Sequence, residues 1–376
     1  MFASDNTFKN FDALVIGGGP AGSACAITLA QQGFRVVLIE KTEMQCLRIG
    51  EYIDASIGTT LFHLGIKESQ WIASAQRSTG VAVAWQQDAS PHIHQGVFNP
   101  FGGAWRLDRQ KFDNFLFAHA GSLDVLCLQA RLQLANYIDG KWHCTININN
   151  NKESLKVRVD YVIEATGRAN PENLAPCNKR IYFDKLFAMA FRADAPGMLE
   201  TTVLSELLLL EATTQGWWYS THLPGKQPIS VFLTDLDLLP RGTPALKQFL
   251  YSQLKAANLT NEHYCWVKDQ IDAVNWSGFN AHTGMRKTFM SNNWFVTGDA
   301  LMSMDPLRGQ GIPDAIDSGV QIAKLLANRP SKNDPIFIAT AESFNAIFNE
   351  RLLERTEAYA SQPLYAGNAF WKRRQH

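Results

Sequence analysis

Asp12-Ala13-Leu14-Val15-Ile16-Gly17-Gly18-Gly19-Pro20-Ala21-Gly22-Ser23 is the stretch that decides the fold. Ala13 to Ile16 form an apolar run short enough for a buried strand, and Ser23 to Ala30 continue past the glycines as a small-residue helix. The spacing between them has a steric and an electrostatic reason. Gly17 permits a tight turn, Gly19 leaves no side chain between the backbone and a pyrophosphate, and Gly22 lets the helix lie close on its strand. The anion then meets unpaired N–H groups at the positive end of the helix dipole.

Working outward, the chain turns at Gly33 and returns through Phe34 to Ile39 as a second buried strand that ends on Glu40. A carboxylate there accepts hydrogen bonds from a ribose diol and repels a 2′-phosphate. A glycine turn that merely packs is the alternative. Strand, helix, second strand and terminal acid in the right order favour a bound dinucleotide over it.

The chain has 376 residues, long for one domain, which points to two interwoven ones. Its 46% hydrophobic and 11% aromatic content is enough for a sizeable core. Lys plus Arg and Asp plus Glu both number 35, so the chain as a whole has no field to attract nucleic acid or an anionic membrane. Met1 to Asn6 lack the basic flank and apolar core of a signal peptide, and no apolar run is long enough to span a bilayer. The expectation is a soluble, cytoplasmic protein. The six cysteines, Cys25, Cys46, Cys127, Cys144, Cys177 and Cys265, show no paired spacing, so neither zinc nor a disulfide framework is indicated. Cys46, just before Arg48, is open to two readings: a thiol approaching a cofactor ring, or an ordinary buried one.

Past Glu40, Arg48-Ile49-Gly50-Glu51 admits two readings as well. The arginine and glutamate form a surface ion pair of little worth, or they line a second part of the same cofactor site. Thr79 to Trp85 alternate as a strand and run into a glycine-rich crossing, Gln95 to Gly103. Asp108 is a helix N-cap before the apolar stripe Phe112, Phe115 and Leu116. Arg109 then sits in the first helical turn, where the dipole disfavours a cation. Either an anionic partner accounts for it or it is simply solvent-exposed.

Lys141 to Ile148 and Leu155 to Val159 read as a hairpin across an Asn-rich turn. Tyr161 to Arg168 form another buried strand that ends in small residues and Gly167, as a close backbone approach requires. Asn170 to Lys185 read as loop. From Leu186 to about Asp272 strands dominate, with one helix at Ala245 to Ala257. Within this region lies Gly216-Trp217-Trp218-Tyr219-Ser220. On a strand, Trp217 and Tyr219 face one side and Trp218 the other. They serve as an aromatic platform for a substrate or as plain core. His222 reads as structural.

The third informative stretch is Trp294 to Ala300, followed by Ser303-Met304-Asp305-Pro306-Leu307-Arg308-Gly309-Gln310-Gly311-Ile312-Pro313. Here an apolar strand ends on Asp299, placed to bind a sugar hydroxyl, and a two-glycine loop enters a helix with Pro313 near its first turn. Ile316, Val320, Ile322, Ala323 and Leu326 make the buried face of that helix. Its start presents bare N–H groups and partial positive charge, suited to a reduced flavin ring; Arg308 adds to this if it points inward.

The glycine fingerprint with Glu40, Arg48 to Glu51, Leu107-Asp108-Arg109, Glu164 to Arg168, and Gly298-Asp299-Ala300 with Asp305-Pro306 and Gly309 to Ile312 occur in order from residue 12 to about 320. In this they resemble the FAD-dependent aromatic hydroxylase superfamily. The resemblance implies FAD as cofactor, held by Gly17, Gly19, Ala21, Gly22, Glu40, Arg48, Glu51, Arg109, Gly167, Asp299, Asp305, Pro306, Gly309, Gly311 and Ile312. It also implies an α/β chain with a Rossmann-type FAD-binding domain (1–80, 103–175 and 282–345). Woven with it is a smaller β-sheet-rich substrate domain (81–102 and 176–281), and a C-terminal helical segment and tail (346–376) follows. No second glycine fingerprint marks a nicotinamide domain.

Arg48 to Glu51 and the Asp305 loop are most similar to the branch of tryptophan halogenases and geranylgeranyl reductases. Arg77-Ser78-Thr79-Gly80 stands where the halogenases carry a catalytic lysine. Tyr219, Thr221 and His222 also break their Trp-x-Trp-x-Ile-Pro motif. Gly216 to Ser220 with Leu223-Pro224, and the ending Phe370-Trp371-Lys372-Arg373-Arg374, are instead similar to the flavoproteins that mature cysteine tryptophylquinone amino-acid oxidases. That resemblance implies a monooxygenase acting on a tryptophan of a partner oxidase precursor. Trp217, Trp218 and Tyr219 are its substrate-side candidates, NAD(P)H is a candidate reductant, and no side-chain acid or base stands out. The alternatives are a small-molecule aromatic hydroxylase, a prenyl reductase, or a maturation chaperone with a structural flavin. The basic, aromatic tail either docks a partner or packs on the chain's own FAD domain.

Overall fold

Ala13–Ile16 and Val36–Glu40 lie in the main core with almost every residue buried, which is why they read as unbroken apolar runs. A computed structural model gives the fold and describes residues 7–41, 48–85, 91–95, 103–148, 153–169, 176, 179–192, 206–225, 228–264, 276–331, 333–362 and 364–375. The two strands lie at the centre of a nine-stranded sheet. Its parallel middle runs Leu126–Ile138, Val36–Glu40, Ala13–Ile16, Tyr161–Glu164 and Trp294–Val296. The antiparallel strands Lys141–Ile148 and Glu153–Val159 extend one side. The strand order reverses at Ala13–Ile16, and a doubly wound sheet binds its ligand at the carboxyl ends of the strands on either side of that point.

Helix Pro20–Gln31 packs on this sheet and against helix Gly311–Ala327. The two approach closely at Gly319, where an added Cβ would sit 2.2 Å from the Ala21 carbonyl oxygen. Their small and aliphatic residues belong to the main core with Ile27, Leu29, Ile316 and Ile322.

A second sheet of seven strands stands over the carboxyl ends. In spatial order it runs Trp276–Asn280, Leu186–Arg192, Pro228–Asp235, Gly216–His222, Leu207–Thr213, Gly80–Ala84 and His92–Gln95. It is antiparallel apart from the pair Leu207–Thr213 and Gly80–Ala84. Helix Thr243–Ala256 covers its far face through Leu250 and Leu254. The chain is thus α/β, a Rossmann-type sheet joined to a β-rich one with helices at the C-terminal end.

Two boundaries differ from the sequence reading. Arg180–Tyr182 is a strand, paired with Gly284–Arg286 across the expected junction, whereas the sequence there reads as loop. The break at 345/346 falls inside one continuous helix, Ile336–Ala360, whose Phe344 and Phe348 pack on the main core and whose Tyr359 reaches the second sheet. Among the described residues no helix is long and apolar enough to cross a membrane.

Candidate active site

The glycines build the first wall of the site. Gly17 has φ +109°, and a Cβ on it would lie 2.2 Å from the Ala165 carbonyl oxygen, so strand Tyr161–Glu164 leaves no room for a side chain. A Cβ on Gly22 would lie 1.8 Å from the Gly17 oxygen. Gly19, the N-cap of Pro20–Gln31, is different: a Cβ there would meet nothing within 4 Å. It opens onto a cavity of about 770 Å³. Gly17 and Gly22 are glycine because protein fills the space, whereas Gly19 faces open space. The Glu40 carboxylate accepts the Gly18 N–H at 2.7 Å and lines the same cavity beside Lys41.

Arg48 and Arg109 come next along the wall, and the acid between them is one the sequence reading missed. The guanidinium of Arg109 chelates Asp113 one helical turn on, at 3.3 and 3.2 Å, and donates to the Ile49 carbonyl at 2.6 Å. Arg48 donates to the same Asp113 oxygen at 2.6 Å. Arg109 is therefore neither solvent-exposed nor unpaired, and Arg48 forms no surface pair with Glu51. Two arginines share one carboxylate, which leaves one net positive charge on a wall that faces the fingerprint. The signal that could have found Asp113 is its i,i+4 spacing from Arg109 in an otherwise buried helix face.

Glu51 turns the other way, towards the second sheet. Its Oε2 accepts the Tyr219 hydroxyl at 3.0 Å and the Gly50 N–H at 2.9 Å. Burial pushes the Glu51 carboxyl above its ordinary range, against the Tyr219 hydrogen bond and the nearby Arg109 charge. Burial and the facing carboxylate push the Tyr219 hydroxyl well above its own.

At the opposite wall, Gly298 to Ala300 make a short 3₁₀ turn. Asp299 there accepts from Arg168 Nε at 3.0 Å, and the same guanidinium donates to the Met304 carbonyl at 2.7 Å, which fixes the start of the Asp305 loop. The loop turns through Gly309 at φ +66° into helix Gly311–Ala327. The N–H groups of Gly311 and Ile312 have no intrahelical acceptor, and Pro313 has none to offer. Both residues line the cavity. Arg308 also borders it, but its guanidinium pairs with Glu354 of the C-terminal helix, which neutralises the charge expected to point inward.

Asp305 is held rather than free. Its Oδ1 caps the Leu307 N–H at 3.0 Å, and its Oδ2 accepts the Tyr359 hydroxyl at 2.8 Å beside Arg355 at 3.5 Å. Tyr359 in turn accepts Trp217 Nε1 at 3.0 Å. Neither Tyr359 nor Arg355 carries a local sequence signal.

Of the residues expected at the site, Gly17, Gly19, Ala21, Glu40, Arg48, Glu51, Arg109, Gly167, Asp299, Asp305, Pro306, Gly309, Gly311, Ile312, Trp217 and Tyr219 line this one cavity. Gly22 lies behind it. Trp218 drops out as a substrate-side candidate: it points through the sheet to Phe232, 4.9 Å away, and into the cluster under helix Thr243–Ala256. His222 is buried away from the cavity lining. Cys46 lies outside the described residues. The tail is neither free nor laid on the FAD side. Phe370 and Trp371 are buried against the second sheet, and Arg374 chelates Asp235.

The family described as FAD binding domain matches residues 10–356. The chain belongs to that family. This FAD-dependent oxidoreductase fits its cofactor on structural grounds too, since the open face of Gly19, the Glu40 carboxylate and the cationic Arg48/Arg109 wall suit the ADP and pyrophosphate groups. It is 24% identical to the putative FAD-dependent oxidoreductase LodB of Marinomonas mediterranea over 97% of each chain. Its fold is like that of the flavin-dependent halogenase CmlS, with TM-score 0.79 at 20% identity over 98% of this chain and 68% of that one. It is also like that of QhpG, a peptidyl tryptophan dihydroxylase essential for tryptophylquinone cofactor biogenesis, with TM-score 0.76 at 21% identity over 98% and 79%.

Proposed function

We propose that this chain is a flavin monooxygenase that hydroxylates a tryptophan side chain in the precursor of a partner oxidase, during biogenesis of a cysteine tryptophylquinone cofactor. The observation that carries the reading is the continuity of one cavity, lined by Gly17, Glu40 and Arg109 at the cofactor end and by Val81, Leu208, Leu210, Trp217 and Tyr219 on the second sheet. Likeness in fold to the peptidyl tryptophan dihydroxylase, and in sequence over the whole length to LodB, supports it.

Bound, reduced FAD supplies the activation of molecular oxygen, with NAD(P)H the proposed source of electrons. The chain's own residues do the rest. The Gly311 N-terminus directs partial positive charge into the cavity where a reduced ring gains negative charge. Arg48 and Arg109 hold the pyrophosphate end. Apolar walls from the second sheet keep water from the reacting ring. Among the described residues that line the cavity the one lysine is Lys41, beside Glu40, and none comes from the segment after Leu64-Gly65-Ile66. Arg77 instead lies 3.6 Å over the Trp105 ring, donates to the Gly103 carbonyl, and is absent from the cavity wall.

Co-expression of the partner oxidase with and without this protein tests the reading. The peptide bearing the cofactor tryptophan gains oxygen only when this protein is present. Equal peptide masses in both samples contradict it. Maturation that proceeds with a folded, FAD-free Gly19→Val variant would make the protein a chaperone instead.

A further inference from the structure

Arg180–Tyr182 is the outer strand of a three-stranded sheet and pairs along one side, with Gly284–Arg286. The Phe183 N–H donates to the Thr283 carbonyl at 2.9 Å and the Lys287 N–H to the Lys179 carbonyl at 3.0 Å. Antiparallel ladders alternate, so residues 179, 181 and 183 bond inward, and the backbone groups of Arg180 and Tyr182 face the open edge. Among the described residues nothing bonds to those groups.

Such an edge is a template for another chain, and native proteins usually blunt it. Here it is apolar: Ile181, Tyr182 and Phe183 are 46%, 51% and 46% exposed. At one end Lys179 and Lys287, both exposed, stand opposite each other across the pair, and neither has an ion pair among the described residues. Like charges in that position cost stability, which an anion between them relieves. The strip also adjoins the cavity. Asn280, three residues before Thr283, is exposed and lines the cavity, and Asp184, next after Phe183, pairs with Arg355 of the cavity wall at 3.0 Å.

We infer that the open edge of Arg180–Tyr182 docks an extended segment of the partner precursor as an added strand. An acidic side chain of that segment sits between Lys179 and Lys287, and apolar ones cover Ile181 and Tyr182. This rests on the reading of the chain as an enzyme that acts on another protein, and it names where that protein is held while its tryptophan enters the cavity.

The test is amide hydrogen exchange on FAD-loaded protein, alone and with the purified precursor, with binding followed by calorimetric titration. The Arg180 and Tyr182 amides exchange fast in the protein alone at every concentration, and about ten-fold or more slowly once the precursor is added. Tyr182→Pro, which removes an outward N–H and spares the inward pairing, weakens precursor binding about ten-fold while FAD content and thermal midpoint hold. The double variant Lys179→Glu with Lys287→Glu weakens it by a similar factor, and its loss shrinks in high salt. Slow exchange at this edge in the protein alone overturns the inference: the chain's own residues cover the edge if the slowing is independent of concentration, a second copy if it grows with it. No slowing by the precursor, or undiminished binding by either variant, overturns it too, even where the tryptophan gains oxygen. Protection of the edge by a precursor that gains no oxygen supports the docking site and removes the proposed reaction.

Discussion

Tyr359 donates its hydroxyl to Asp305 Oδ2 at 2.8 Å, and by accepting Trp217 Nε1 at 3.0 Å it ties the second sheet to the loop that leads into helix Gly311–Ala327. A residue near the end of the chain thereby sets the spacing between the two walls of the cavity. Tyr359→Phe removes both bonds, strands the Trp217 N–H and leaves the buried Asp305 with one donor fewer. The expected loss is about 1–3 kcal/mol in urea denaturation, with a shift in tryptophan fluorescence of the folded state. An unchanged unfolding midpoint and spectrum would show that the link carries no load.

Gly22 and Gly19 predict opposite failures. A valine at 22 collides with the Gly17 carbonyl, which is backbone and cannot yield, so the Gly22→Val protein is insoluble or unfolded. A valine at 19 projects into open cavity. Gly19→Val therefore folds with the thermal midpoint of the FAD-free wild type and purifies colourless. Yellow Gly19→Val protein would place the pyrophosphate elsewhere.

Much of this was legible beforehand, because the fingerprint and the Asp305 loop are local patterns whose spacing follows from backbone sterics. Contacts between distant segments were not. Arg374 meets Asp235 across 139 residues, and no periodicity marks the pair. Only the fold reveals that the end of strand Pro228–Asp235 buries an acid that needs a cation, which is why the tail packs on the second sheet. Arg308 misled for a similar reason, since its partner Glu354 comes from a helix that the loop sequence cannot announce. The Trp218 side, by contrast, followed from strand alternation alone.

Asp113 is fully buried between Arg48 and Arg109, so Asp113→Asn leaves two cations without their counter-charge. Denaturation of the FAD-free variant is expected to show a loss of about 3 kcal/mol. With FAD bound the loss shrinks, because the pyrophosphate supplies the missing charge. Equal losses in both forms would assign the arginines to structure alone.

Burial raises the Glu51 carboxyl above its ordinary value of 4.5. A group raised on folding contributes stability at low pH and loses that contribution as pH climbs through its folded-state value. Ionised Glu51 is thus a burden at neutral pH that glutamine does not carry. The thermal midpoint of FAD-free Glu51→Gln should exceed that of wild type by more at about pH 8 than at about pH 5. A gap that is constant with pH would mean that Glu51 does not titrate in this range.

The most direct test of the account is to supply FAD-loaded, reduced protein and the purified partner precursor with heavy-isotope oxygen gas, and to weigh the tryptophan peptide. The account predicts heavy oxygen on the tryptophan ring, dependent on this protein and absent with Gly19→Val. Label that is missing from the ring, or equally present without the protein, would contradict it.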